Sequence, residues 1–148
     1  MNSPINFFSE DIKFSVKNKN EIRDWVNGAA ENERLMAGDI NFIFCSDSYL
    51  HKLNKSYLKH DTLTDIITFP LMDDESVISG DIFISVERVR ENARLYKQKI
   101  SNELERVIIH GVLHLLGFKD RTKLEKLQMR AKEDYYLEQL RKLRAVLK

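Results

Sequence analysis

The chain has 148 residues, 24 Lys and Arg against 23 Asp and Glu, a formal net charge of +1 and a single Cys. At about 100–200 residues per domain this is the length of one domain, 1–148, and its 43% apolar content is too rich for a disordered tail. One Cys excludes an internal disulfide framework, near-neutrality argues against coating nucleic acid by bulk charge, and no run approaches about 18 apolar residues.

The start MNSPINFFSEDIKF lacks the basic and continuous apolar regions of a secretory signal, so a soluble, cytoplasmic protein is expected. Residues 11–16 (DIKFSV) alternate and predict a strand. Asn18 or Asn20 is positioned to cap a helix through about Arg34, with Ile22, Trp25, Val26 and Ala29 on one face. Gly38 is expected to end the connection to a buried strand, residues 39–46 (DINFIFCS), where Cys45 reads as a buried thiol. Ser46 or Asp47 then caps a second helix with Leu50, Leu53 and Tyr57 at helical spacing. Residues 65–70 (DIITFP) predict a strand, an acidic turn follows at 72–77, and another strand starts at Gly80 (GDIFISV).

Beyond that strand the period changes. Residues 86–99 place Val86, Val89, Ala93 and Tyr96 on one helical face, and Ser101 or Asn102 is the expected cap of a helix running to Leu116. A last amphipathic helix spans about 122–147. Four strands with helices between the early ones and after the last predict an α+β domain with a mixed sheet.

The chemistry concentrates in residues 110–120, HGVLHLLGFKD. In a helix His110 and His114 are one turn apart and face the same way, so each can offer a ring nitrogen to a divalent metal. Gly117 suits the left-handed conformation that ends a helix, and the reversal lets Asp120 approach as a third ligand. Two partly buried helix histidines are the alternative reading. The spacing overlaps the H-E-x-x-H-x-x-G-x-x-H metalloprotease pattern. Gly111, however, occupies the position of its general-base Glu and has no side chain to take a proton, which demotes the protease reading.

Here the chain resembles the YbeY endoribonuclease and ribosomal-RNA maturation family, whose signature is H-G-x-L-H-L-x-G-Y-D-H. His110, Gly111, Leu113, His114, Leu115 and Gly117 match it, and Phe118 replaces its Tyr. A second family segment, approximately N-x-x-Y-R-x-K-D-x-P-T-D-V-L-S-F, is recognisable at residues 54–69 (NKSYLKHDTLTDIITF), and G-D-I-x-I-S at residues 80–85. The third family ligand, a His, falls on Asp120, and the family's preceding Asp falls on Lys119. Carboxylate is a competent zinc ligand, and its charge makes a bound water less acidic than a third imidazole would. The family's Arg falls on Leu58, leaving Lys59 beside it as a candidate phosphate cation, while His60 replaces a family Lys.

Four residues are accordingly candidate substrate contacts: Lys59, His60, Lys119 and Arg121. His60 reads equally as a solvated loop residue, and His51 as a surface position on a helix. Thr64 and Asp65 match the family's T-D pair and either cap a turn or orient a ligand. Asp81 is a partner for a metal-bound His or a strand-start residue. Residues 119–148 hold ten basic and five acidic side chains, which fits RNA contact and equally a solvated amphipathic helix.

What the resemblance implies is a metal-dependent single-strand endoribonuclease in ribosomal-RNA maturation and ribosome quality control, its partners ribosomal RNA, the ribosomal subunit and assembly proteins, with neither membrane nor DNA. One Zn2+ per chain is the expected cofactor, with Ni2+ or another divalent ion as the alternative. The rival is a ribosome-assembly factor in which the metal is structural and RNA is bound without cutting. With no evident general base, either metal-activated water or the RNA 2′-hydroxyl can be the nucleophile.

Overall fold

A computed structural model describes residues 4–57, 64–71 and 74–147. Four strands, β1 (Ile5–Ser9), β2 (Met36–Cys45), β3 (Ile66–Leu71) and β4 (Val77–Ser85), form one sheet in the order β1-β2-β4-β3. β1 and β4 run parallel to β2 on either side of it, and β3 lies antiparallel on the outer edge of β4. Among the described residues five helices complete this α+β architecture: α1 (Lys19–Asn32), α2 (Asp47–Tyr57), α3 (Val86–Leu95), α4 (Ile100–Leu115) and α5 (Lys123–Leu147). Among the described residues no helix is long and apolar enough to cross a membrane.

Strand alternation divides the apolar residues between two faces. Ile40, Phe42 and Phe44 of β2, with Ile78, Ile82 and Ile84 of β4, enter the main core beneath α1, α4 and α5. Cys45 and Ile67 point to the other face and pack with Leu50 of α2, alongside Phe69 and Phe83. The central strands therefore read as continuous apolar runs because both faces are covered.

The strand expected at residues 11–16 is a correction. β1 lies earlier, at Ile5–Ser9, and pairs in register with β2 from Ile5 opposite Ile40 to Ser9 opposite Phe44. Residues 11–16 make no ladder, yet their alternation is real: Ile12, Phe14 and Val16 turn inward, and the Phe14 ring lies 5.0 Å from that of Phe44. The periodicity reported burial and was silent about pairing. Gly38 likewise lies inside β2, at a register shift, instead of ending a connection. A Cβ there would sit 2.5 Å from Ser79 Oγ and 2.6 Å from Val77 Cγ1, so glycine permits the close approach of β4. β4 begins at Val77, three residues before Gly80.

The helices follow their expected faces. Ile22, Trp25, Val26 and Ala29 are buried on α1, whose N-cap is Asn18 in a left-handed conformation without a side-chain cap. Ser46 caps α2, accepting from Tyr49 N–H at 3.1 Å. Tyr96 is exposed, beyond the end of α3. α4 is capped at Lys99, ahead of Ser101 and Asn102. Thr122 and Glu125 form a capping box at the start of α5, each side chain accepting the other's backbone N–H, at 3.1 and 2.9 Å.

Candidate metal centre

α4 is apolar around most of its circumference. Val107, Ile108, Ile109, Val112 and Leu113 are buried, and at about 1.5–3 kcal/mol for each fully buried large side chain the helix is firmly seated on the sheet. Gly111 faces the sheet: a Cβ there would lie 2.8 Å from Ile66 Cδ1 and 2.9 Å from Ile82 Cγ2. The position that carries the general base in H-E-x-x-H proteases is therefore buried against β3 and β4, with no room for a carboxylate. One stripe remains for polar groups, and along it stand Glu103, Arg106, His110 and His114.

The chain reversal after α4 has the bonds of a Schellman motif. Gly117, at φ 102°, donates to His114 O at 3.0 Å, and Phe118 donates to Leu113 O at 3.0 Å. Phe118 returns to the main core, and the capping box of α5 holds the far end of the loop. Asp120 is thus carried back over the two histidines. His110 Nε2 lies 3.0 Å from His114 Nε2 and 3.2 Å from Asp120 Oδ2, and His114 Nε2 lies 3.5 Å from the same oxygen.

These three separations match the face of a tetrahedron. Ligand atoms about 2.0–2.1 Å from a zinc ion are about 3.3 Å apart at tetrahedral angles. The three side chains, each half-buried, form a cluster that can hold a metal ion. Among the described residues the cluster offers three ligand atoms, the number a catalytic zinc site takes from the protein, whereas structural sites take four.

Electrostatics differ sharply across the pair. Burial works against the His110 imidazolium, but the Glu133 hydrogen bond and charge, followed by Asp120 and Asp65, outweigh it and push His110 up. Burial and then the neighbouring His110 push His114 down, against the attraction of Asp120. Glu133 touches His110 Nδ1 at 2.7 Å and Arg106 at 2.8 Å, and although burial opposes its ionisation these two partners hold its carboxyl below the ordinary range. Sequence reasoning missed this residue. The signal was a carboxylate in the apolar stripe Met129, Glu133, Tyr136 and Leu140 of α5.

Lys119 and Arg121 flank Asp120 and are exposed. Lys59 and His60, together with Leu58, lie outside the described residues. Thr64 Oγ1 bonds the backbone of Ile66, donating to its O at 3.2 Å and accepting from its N–H at 3.5 Å, which is the turn role. Asp65 is half-buried, and burial pushes its carboxyl up while His110 opposes the shift. Asp81 lies within β4, away from the strand start, and accepts from Asn41 at 3.0 Å. His51 is half-buried on α2. Cys45 is fully buried, and burial, then the charges of Asp11, Glu10 and Asp47, push its thiol up to about 12.

Comparison with known proteins places the chain among relatives. Residues 4–141 match the family described as Endoribonuclease YbeY. Proteins named Endoribonuclease YbeY from Amoebophilus asiaticus and Cytophaga hutchinsonii are 50% identical over 133 residues and 49% identical over 128. Those alignments cover 90% and 86% of this chain, and 90% of each relative. The solution structure of TM1509 from Thermotoga maritima superposes with a TM-score of 0.63 at 30% identity, over 92% of this chain and 88% of that one.

Proposed function

The chain belongs to the YbeY endoribonuclease family, and from that membership and the triad we propose a metal-dependent single-strand endoribonuclease acting in ribosomal-RNA maturation. His110, His114 and Asp120 are the proposed ligands of one Zn2+, and the observation that carries the reading is their 3.0–3.5 Å triangle of donor atoms. When bound, the ion supplies Lewis-acid stabilisation to a phosphodiester and lowers the pKa of coordinated water to about 7. Ni2+ or another divalent ion is compatible with the same donors.

The chain's own residues bind and orient. His110 and His114 keep two donors fixed on a buried helix, and Asp120 closes the triangle from a loop held at both ends. Lys119 and Arg121, on either side of Asp120, are the proposed phosphate contacts, supplying affinity without sequence choice. Lys59 and His60 are proposed as further contacts. Leu58 stands where the family signature has Arg, so the phosphate cation of this chain comes from elsewhere, and the exposed pair around Asp120 meets that need. Assembling ribosomal subunits, in the cytoplasm, are the proposed setting.

The test is metal content and cleavage of single-stranded RNA by protein purified without added metal, wild type against Asp120→Ala. About one zinc per chain, with metal and cleavage both lost in the variant, is expected. Folded, zinc-loaded wild type that binds ribosomal RNA without cutting it contradicts the enzyme and favours an assembly factor. A cyclic phosphate product end identifies the 2′-hydroxyl as nucleophile.

A further inference from the structure

Glu133 is out of place by composition. It occupies a core position of α5 between Met129 and Tyr136, at 5% exposure. A buried carboxylate is costly unless it is paired and hydrogen-bonded. The structure pairs both oxygens: Oε1 accepts from Arg106 at 2.8 Å, and Oε2 lies 2.7 Å from His110 Nδ1, where an ionised carboxylate can act only as acceptor. Arg106 is itself braced by Asp134 at 2.8 Å.

An ion pair joining α4 to α5 needs only Arg106. The second oxygen instead meets the ring nitrogen of His110 that faces away from Asp120, which fixes both the ring plane and the tautomer. With the proton on Nδ1, the lone pair of Nε2 is directed to the point shared with His114 and Asp120. We infer that Glu133 is a positioning residue for the metal centre, holding His110 as a ligand and itself held by Arg106. The inference rests on the metal reading given above.

Zinc affinity measured by chelator competition, with imidazole 15N NMR of the metal-free protein at mildly alkaline pH, tests it on wild type, Glu133→Gln and Glu133→Ala. Loss of the partner of a ligating His lowers metal affinity by about 10–100-fold, so Glu133→Ala should fall in that range. Glu133→Gln should fall less, because its amide oxygen still accepts the Nδ1 proton. His110 should be the Nδ1–H tautomer in wild type and shift toward Nε2–H in Glu133→Ala. Glu133→Gln keeps the test decisive if the alanine variant does not fold. Folded variants with lower melting temperature but unchanged zinc affinity and tautomer overturn the inference and leave Glu133 as a helix tie. Wild type that binds neither zinc nor another divalent ion at this cluster overturns the metal site itself, and this inference with it.

Discussion

Asp120 is one of the residues at which this chain departs from its family signature, and as the proposed third ligand its consequence is chemical. A carboxylate adds negative charge at the ion, which makes coordinated water less acidic than a third imidazole would. Asp120→His should therefore retain metal and shift the acidic limb of the pH–rate profile to lower pH. An unmoved profile would mean that this limb reports another group. At this scale the sequence was informative where chemistry is local: two histidines one turn apart, a glycine that reverses the chain, and an acid three residues on. It was uninformative about Glu133, whose partners Arg106 and His110 come from another helix 27 and 23 positions away.

Helix α4 works as a platform because Gly111 lets it lie against β3 and β4. Gly111→Ala must displace Ile66 and Ile82, and overpacking of this kind costs about 1–3 kcal/mol despite the better helix propensity of alanine. Urea denaturation should show that loss, with weakened metal binding as the helix lifts. Unchanged stability would mean that the sheet relaxes at no cost. Element existence was mostly legible from periodicity, and the misreadings share a cause. The alternation at residues 11–16 describes a segment covering the core without laddering, while INFFS becomes β1 only because β2 is there to pair with it. Strand pairing is non-local, so a period-2 pattern alone cannot separate the two.

Over the whole molecule, the basic C-terminal segment has a structural explanation alongside any role in binding RNA. Arg144 pairs with Glu21 of α1 and Glu105 of α4, and Lys132 pairs with Glu33 at the end of α1. The charge asymmetry read along the sequence is in part the docking of α5 onto acidic partners. Glu33 also accepts from Tyr136, and although burial opposes its ionisation, Tyr136 and then Lys132 hold its carboxyl below its ordinary 4.5. A depressed folded pKa stabilises above the unfolded value and the gain is lost as pH falls through the folded one. Glu33→Gln should thus cost about 1–2 kcal/mol at neutral pH, and its melting temperature should converge on wild type in acid. A gap that persists in acid would assign the loss to packing. The α+β class was legible because its elements appear in order, whereas these long-range ties were not.

Metal removal and return test the central claim most directly. Wild-type protein stripped by a chelator should lose cleavage of single-stranded RNA and regain it on addition of about one equivalent of Zn2+. His114→Ala, folded by circular dichroism, should not regain it. Undiminished cleavage by protein verified as metal-free would contradict a hydrolytic role for the His110, His114 and Asp120 centre.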